Sequence, residues 1–209
     1  MSAAHPLVRL DKVSLRYGKG PQSTLAIDQI DLTIRRGEFV AVVGPSGCGK
    51  STLMKIISGL VPISDGVALV EDREIAGPLK SVGMAFQAAN LLPWRTTVDN
   101  VMLPLEVVEP HKRRLGSHRA EYVAKVEALL KRVGLGGFSS KFPWELSGGM
   151  QQRTSICRAL IHQPEILLLD EPFGALDAFT REDLWCTLRD LHVEQGVTVM
   201  LVTHDLREA

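Results

Sequence analysis

The sequence has no net charge, few cysteines and no long apolar run. Lys and Arg number 24, and Asp and Glu also number 24, so the 209 residues carry no formal net charge. A generally basic surface for binding nucleic acid is therefore not expected. The longest stretch without a charged side chain, residues 81–94, is shorter than the roughly 20 apolar residues of a membrane-spanning helix. We expect no segment of this chain to cross a membrane.

The three cysteines, Cys48, Cys157 and Cys186, form neither a CxxC pair nor the spacing of a zinc site. The first residues, Met-Ser-Ala-Ala-His-Pro, lack the basic region and apolar core of a secretory signal. We therefore expect a cytosolic chain with reduced thiols. The ordinary role of such cysteines is that of small buried apolar residues.

The patterning of apolar residues indicates an α/β fold. With 45% hydrophobic and 23% charged residues, the chain is typical of a globular protein of one or two domains. Apolar, β-branched runs alternate with helical patterns, which favours a substantial parallel sheet. Helical patterns dominate residues 88–145, and we interpret this region as an inserted helical subdomain. We predict strands at residues 8–17 and 25–34, which form an antiparallel portion, and at residues 38–43, 67–71, 81–86, 166–169 and 197–202.

A glycine-rich stretch that fits GxxxxGK[ST] follows the predicted strand at residues 38–43 and precedes a predicted helix, the context that a phosphate-binding loop requires. Glycines allow successive backbone N–H groups to point at one anion, and the helix adds its positive N-terminal end. Lys50 is expected to reach the β- and γ-phosphates, and the Ser51 hydroxyl to ligate Mg²⁺. The predicted phosphate-binding residues are Gly44, Pro45, Ser46, Gly47, Cys48, Gly49, Lys50, Ser51 and Thr52.

Two adjacent carboxylates, Asp170 and Glu171, follow the predicted strand at residues 166–169. A strand that ends in a carboxylate beside a phosphate loop places oxygen where Mg²⁺ needs it, which is the role we predict for Asp170. Glu171 is suitably placed to deprotonate the water that attacks the γ-phosphate. The alternative is a solvated acidic pair that caps the next helix.

The segment Leu146-Ser-Gly-Gly-Met150 is the feature that distinguishes this chain from other phosphate-loop enzymes. Ser147 is expected to cap a helix, and Gly148 and Gly149 permit close backbone approach to phosphate. This segment resembles the LSGGQ signature of the ATP-binding cassette (ABC) family, with Met150 in place of the glutamine. It precedes Asp170 in the order that the family requires.

Four further motifs match this family by position. Tyr17 is similar to the aromatic residue that stacks on adenine, although it could be an ordinary strand aromatic. Gln87 is similar to the glutamine that reaches Mg²⁺ and water, and the alternative is a surface glutamine. His204 is similar to the histidine that contacts the γ-phosphate. The stretch 174–177 is similar to a loop that contacts the opposite subunit, with Gly174 where many members have serine.

The resemblance implies the fold and the boundaries within it. It implies a P-loop NTPase core with a mixed, mainly parallel sheet, an N-terminal antiparallel β portion and an inserted α-helical subdomain. The single domain would span residues 1–209, with a RecA-like core at about 1–87 and 163–209 and a helical signature subdomain at about 88–162. The chain ends five residues after His204, where family members usually continue, so we expect the C-terminus to be truncated.

The resemblance also implies partners. ATP and Mg²⁺ would be bound between the phosphate loop of one subunit and the signature segment of another, so we expect a dimer, most simply a homodimer. The stretch Leu91-Leu-Pro-Trp94 could seat a short helix of a membrane partner, or could simply pack the insert. Together with the Met150 variant, it resembles the importer ATPases for nitrate, sulfonates and taurine.

For such an importer we expect integral permease subunits, a separate solute-binding protein and no nucleic acid, at the cytoplasmic face of the inner membrane. The basic run 111–114 could touch acidic lipids or the permease, or be a solvated loop. The alternative function is a soluble ABC ATPase that acts on nucleic acid or ribosomes without transport. Relatives of that kind usually carry a coiled-coil insertion or two fused cassettes, and neither is present here.

Overall fold

The eight strands of the computed structural model form two four-stranded sheets in the part of the chain that it describes, residues 6–174 and 176–208 without the side chain of Pro21. In chain order the strands are β1 (Pro6–Tyr17), β2 (Thr24–Arg35), β3 (Phe39–Val43), β4 (Asp65–Val70), β5 (Arg73–Glu74), β6 (Val82–Ala85), β7 (Ile166–Asp170) and β8 (Thr198–Thr203). The first sheet has the order β2-β1-β4-β5 and is antiparallel. The second has the order β3-β8-β7-β6 and is parallel throughout.

The same described residues contain six α-helices: α1 (Lys50–Ile57), α2 (Thr97–Met102), α3 (His111–Arg114), α4 (Arg119–Arg132), α5 (Gly148–Leu160) and α6 (Ala178–Gln195). Short 3-10 turns lie at Gly20–Gln22, Leu103–Glu106 and Pro143–Glu145. Side-chain caps fix three helix starts, because Thr96, Ser147 and Asp177 each accept a hydrogen bond from a backbone N–H in the first turn. Gly196, with φ of 63°, ends α6 in the left-handed conformation that glycine adopts most readily.

The parallel sheet lies between two hydrophobic cores. On β7, Leu167 and Leu169 pack in the core formed with α4, α5 and α6, whereas Ile166 and Leu168 pack in the core formed with α1 and the antiparallel sheet. The side chains of β8 divide between the two cores in the same alternating way. A strand with both faces covered needs a continuous apolar sequence, which is why these two strands show no polar alternation.

The predicted strands are present, with no end shifted by more than two residues, and the predicted antiparallel pairing of β1 and β2 is confirmed. The structure adds two details. Strand β4 joins the antiparallel sheet and the short β5 extends it, so the second sheet has no antiparallel member. The basic run at 111–114 forms the short exposed helix α3.

Two expectations about the cysteines differ in outcome. No disulfide links them, and all three thiols are free. Burial is correct for Cys157 alone, because Cys48 and Cys186 are exposed. Cys48 lies in the loop before α1, and Cys186 lies on the outer side of α6. The exposure of these two side chains is therefore set by their place in the fold and not by the residue type. Within the described residues, no helix is both long and apolar enough to span a bilayer.

Candidate functional site

The predicted site residues lie at the carboxyl ends of four neighbouring parallel strands. Strand β3 leads into the glycine-rich loop, β8 into His204, β7 into Asp170 and Glu171, and β6 into Gln87. Ligands of open α/β sheets bind at this edge. Because the strand order is β3-β8-β7-β6, motifs that are up to 160 residues apart in the sequence become neighbours in space.

The loop between β3 and α1 has a backbone that only glycine accommodates at two positions. Gly47 and Gly49 have φ values of 81° and 102°. A Cβ atom on Gly49 would lie 2.8 Å from the carbonyl oxygen of Ala26. The loop therefore curls tightly against β2 and directs its backbone amides and the start of α1 at one point, which is the geometry of an anion site.

Lys50, the first residue of α1, is almost fully buried. Its Nζ donates to the carbonyl oxygens of Gly44 at 2.8 Å and Pro45 at 2.9 Å. An ammonium group has three donors, so one remains for an anion held by the loop. The lysine is thus fixed in place before any phosphate arrives.

Ser51 and Asp170 are joined across the edge of the sheet. The Ser51 hydroxyl donates to Asp170 Oδ1 at 2.9 Å. Burial raises the pKa of the Asp170 carboxyl, the Ser51 hydrogen bond opposes that rise, and the neighbouring charge of Glu171 adds to it. The charges of Lys55 and Lys50 also lower this pKa, but burial is the largest effect and the pKa stays raised, so a cation beside the carboxylate would be favourable.

Glu171 is the centre of a small polar network. Its Oε2 accepts a hydrogen bond from Gln87 Nε2 at 3.1 Å and lies 3.4 Å from His204 Nδ1. Its backbone has a φ of 44°, unusual for a residue with a side chain, and its N–H donates to Val202 O at 2.9 Å. Local strain of this kind is often found where a side chain must be aimed at a reacting atom. The network brings together Gln87, Glu171 and His204, which with Lys50 are the four residues that we predict to be catalytic.

A cavity of about 660 Å³ opens over the loop, which is within the usual range for small-molecule sites. Its lining contains most of the predicted residues: Tyr17, Ser46, Gly47, Cys48, Gly49, Lys50, Ser51, Thr52, Gln87 and Glu171. Three lining residues, Thr24, Leu25 and Ala26, were not predicted. They could have been found from the predicted antiparallel pairing of β1 and β2, because the register of these strands places Thr24 opposite Tyr17.

The signature segment lies outside this cavity. Ser147 and Gly148 are exposed, and the Ser147 hydroxyl accepts from Met150 N as the predicted N-cap of α5. A Cβ on Gly149 would lie 2.8 Å from Leu176 Cδ2, so this glycine permits close packing within the chain. Of the stretch 174–177 predicted to contact another subunit, Ala175 lies outside the described residues. The signature segment and the glycine-rich loop therefore do not share one cavity within the chain.

The oxygen donors fit Mg²⁺ bound together with phosphate. Ser51, Asp170 and Gln87 offer a hydroxyl, a carboxylate and an amide oxygen, all hard ligands. The described part of the chain contains no cluster of three His, Cys, Asp or Glu side chains that could hold a metal by itself. Mg²⁺ commonly uses one or two carboxylates and completes its shell with substrate phosphates and water, so this sparse set is suitable.

The sequence profile of the ABC transporter family matches residues 27–174, which is more than half of the chain. This chain belongs to the ABC transporter family. The aliphatic sulfonates import ATP-binding protein SsuB of Bacillus licheniformis is 47% identical over 193 residues, covering 92% of this chain and 72% of that protein. The taurine import ATP-binding protein TauB of Escherichia coli K12 is 41% identical over 203 residues, covering 97% of this chain and 75% of that protein.

Solved structures of ABC cassettes have the same fold. The dimeric post-hydrolysis structure of the ATP-binding cassette MJ0796 bound to ADP and Pi covers 97% of this chain and 90% of its own, with a TM-score of 0.82 and 35% identity. This ABC chain is therefore an ATP-binding subunit and an ATPase whose hydrolysis is coupled to transport. The relatives fit the predicted transport function and not the soluble alternative.

Proposed function

We propose that this ABC ATPase powers the import of a small sulfonate through a membrane permease. The observation that carries the proposal is the Gln87–Glu171–His204 network beside a phosphate-binding loop, which is suited to the attack of water on a terminal phosphate. The sulfonate class is supported by the identity to SsuB and TauB. Nitrate is the other solute class that the resemblance implies.

The roles of the residues follow from their positions. The backbone N–H groups of residues 46–52 and the Lys50 ammonium hold the phosphates, and Tyr17, half exposed at the cavity rim, offers its ring to adenine. Glu171 accepts the proton of the attacking water, and Gln87 orients that water. His204, exposed and 3.4 Å from Glu171, contacts the γ-phosphate.

Mg²⁺ is the metal that we propose for the site. Ser51 and Asp170 would hold it directly or through water, and Gln87 would approach it from the cavity side. When bound, the ion neutralises charge that develops on the phosphates. Beside Asp170 the ion would favour the charged form of the carboxyl group, which burial disfavours.

We propose a second copy of this chain as the partner that completes each site. Ser147, Gly148 and Gly149 are removed from their own phosphate loop, and in a symmetric dimer they would face the nucleotide of the other subunit. The exposed Gly148 at the start of α5 allows a phosphate to approach the backbone closely. The dimeric cassette structures similar to this chain support such pairing.

Permease subunits would dock in a mainly apolar groove of about 430 Å³ beside β6. Its walls include Met84, Phe86, Leu103, Pro104 and Val107, which suits the apolar face of a short helix. The stretch Leu91-Leu-Pro-Trp94 precedes α2, and Trp94 is 70% exposed. This arrangement would place the chain at the cytoplasmic face of the membrane, where a separate solute-binding protein delivers substrate to the permease from the other side.

Uptake by whole cells tests the proposal. Cells whose gene for this chain is deleted should lose taurine or alkanesulfonate uptake, the unchanged gene should restore it, and the Glu171→Gln gene should not. A matched Glu182→Gln gene, which changes an exposed glutamate on α6, should restore uptake fully. Unchanged sulfonate uptake in the deletion cells would refute the substrate class, and restoration by Glu171→Gln would refute the coupling to hydrolysis.

A further inference from the structure

Two side chains of the signature helix α5 hold the loop that carries Gln87. We define this Gln87 loop as residues 86–90, which connect β6 to the region before α2. Gln152 Nε2 donates to Phe86 O at 3.0 Å. Arg158 Nη2 donates to Ala89 O at 2.7 Å, and its Nη1 donates to Asn90 O at 2.9 Å. Both ends of the loop are thus attached to one helix.

The Arg158 guanidinium has no counter-charge to account for its position. Burial lowers the pKa of Arg158, and no carboxylate forms an ion pair with it in residues 6–174 and 176–208. Its planar fork matches the two carbonyl oxygens of Ala89 and Asn90 simultaneously. Asn90 adopts a positive φ of 47°, which directs the chain past the guanidinium. Arg158 is partly buried, and because burying a cation costs free energy, we attribute its position to the two carbonyl oxygens of the loop that it contacts.

The Gln152 side chain is also enclosed. It is 2% exposed, and its amide reaches the residue that immediately precedes Gln87. From Gln87 the contacts continue to Glu171 at 3.1 Å and from Glu171 to His204 at 3.4 Å. A connection therefore runs from α5 to the proposed base through the Gln152–Phe86 hydrogen bond, the peptide link from Phe86 to Gln87, and the polar contacts of the Gln87 side chain.

We propose that Arg158 and Gln152 are positioning residues that set the distance between Gln87 and Glu171. The inference rests on the proposed role of Gln87. Helix α5 begins beside Ser147, which is proposed to meet the nucleotide of the partner subunit, so a shift of α5 at one site displaces Gln87 at the other. Arg158 also lines the groove proposed for the permease, so a docked helix would contact the same guanidinium.

The test is Arg158→Lys, with Arg153→Lys as the matched control. Arg153 is on the same helix and donates from Nη1 to Val133 O at 2.9 Å, away from the Gln87 loop. A lysine in place of Arg158 keeps the charge but cannot bridge two carbonyls, so we expect kcat to fall about tenfold through misplacement of Gln87. The KM for ATP should change less than about twofold, because Gln87 contributes little to nucleotide affinity. The Mg²⁺ concentration for half-maximal rate should rise.

A double-mutant cycle with Gln87→Ala separates positioning from a general structural effect. If Arg158 acts through Gln87, Arg158→Lys should lower kcat less than about twofold further in the Gln87→Ala background. Gln152→Leu keeps the side-chain volume and removes the hydrogen bond to Phe86, so it should reproduce the kinetic pattern of Arg158→Lys. It replaces Arg158→Lys in the test if that variant folds poorly. Melting temperatures of all variants, measured without nucleotide, identify any that are unfolded.

Each outcome has a distinct meaning. Full additivity in the cycle, or equal losses in Arg153→Lys, overturns the positioning role while the function proposed for Gln87 stands. If Gln87→Ala alone leaves kcat and the Mg²⁺ dependence unchanged, the proposed role of Gln87 fails and the inference fails with it.

Discussion

Asn100 is a fully buried polar residue on α2 that holds the stretch before that helix. Its Oδ1 accepts from Leu92 N at 2.7 Å, and its Nδ2 lies 3.0–3.1 Å from the carbonyl oxygens of Leu92, Arg95 and Thr96. One side chain therefore bonds both backbone polar groups of Leu92 and the carbonyl oxygens of the two residues that precede α2. The perturbation that we consider is Asn100→Ala.

The loss can be estimated from these contacts. The amide offers two protons and one accepting oxygen here, so about three hydrogen bonds are lost, at roughly 1 kcal/mol each. We expect the free energy of unfolding to fall by about 3 kcal/mol. For a chain of this size that corresponds to a melting temperature lower by roughly 6–12 °C.

Urea unfolding followed by circular dichroism measures the effect. The matched control is Thr154→Val, since Thr154 is also fully buried but its hydroxyl bonds only to Met150 O within its own helix. The Met150 carbonyl oxygen keeps its backbone hydrogen bond within the helix, so Thr154→Val should lower the free energy of unfolding by less than about 1 kcal/mol. A loss below about 1 kcal/mol for Asn100→Ala, or one equal to the control, would refute the idea that Asn100 fastens the turn.

Three further predictions concern the site and the sheet. Glu171→Gln should lower ATP turnover by about 10²–10⁴-fold while equilibrium binding of ATP is retained, because the base is lost and the side-chain volume is not. Asp170→Asn should raise the free energy of unfolding at pH 7. Burial raises the pKa of Asp170 in the folded state, so the charged carboxylate destabilises the fold. This destabilisation develops as the pH rises from the ordinary aspartate pKa of about 3.9 through the raised folded-state pKa. The stability gained by Asp170→Asn should therefore vanish below about pH 4. Gly83→Ala should destabilise the fold by about 1–3 kcal/mol in thermal unfolding, since a Cβ there would lie 2.2 Å from Ala159 O.

These three predictions have their own controls. Glu182→Gln should keep normal turnover, and near-normal turnover in Glu171→Gln would remove the general base from the proposal. An equal stability difference for Asp170→Asn at pH 7 and pH 3.5 would contradict a titration effect. Gly77→Ala, where nothing lies within 4 Å of the added carbon, should unfold almost as the unchanged chain does, and Gly83→Ala should not match it.

The strands and the motifs were predictable from the sequence because their signals are local. Strand β7 is an apolar run followed at once by Asp170 and Glu171, and the glycine loop has a fixed spacing to Lys50. The capping role of Ser147 follows from its residue type at a helix start and is confirmed. The family assignment depended on the order of such motifs along the chain and is likewise confirmed.

Contacts between distant side chains and backbone were not predictable. Nothing local marks Arg158 as the partner of Ala89 and Asn90, because carbonyl acceptors have no sequence signature. Strand β5 has two residues, Arg73 and Glu74, too few to show alternation. The exposure of Cys48 depends on a loop whose shape the glycines and the close approach to β2 set together.

The sheet order has a consequence for the synthesis of the chain. Strand β8 lies between β3 and β7, so β3 has no parallel neighbour until β8 is made. Phe39 pairs with Val199, and a ribosome that adds roughly 5–20 residues per second needs about 8–30 s to produce one after the other. During that interval the phosphate loop follows a strand with both edges open, an aggregation hazard that a chaperone or early folding of the antiparallel sheet must limit. The nascent chain therefore completes its catalytic edge only when β8 joins β3 to β7.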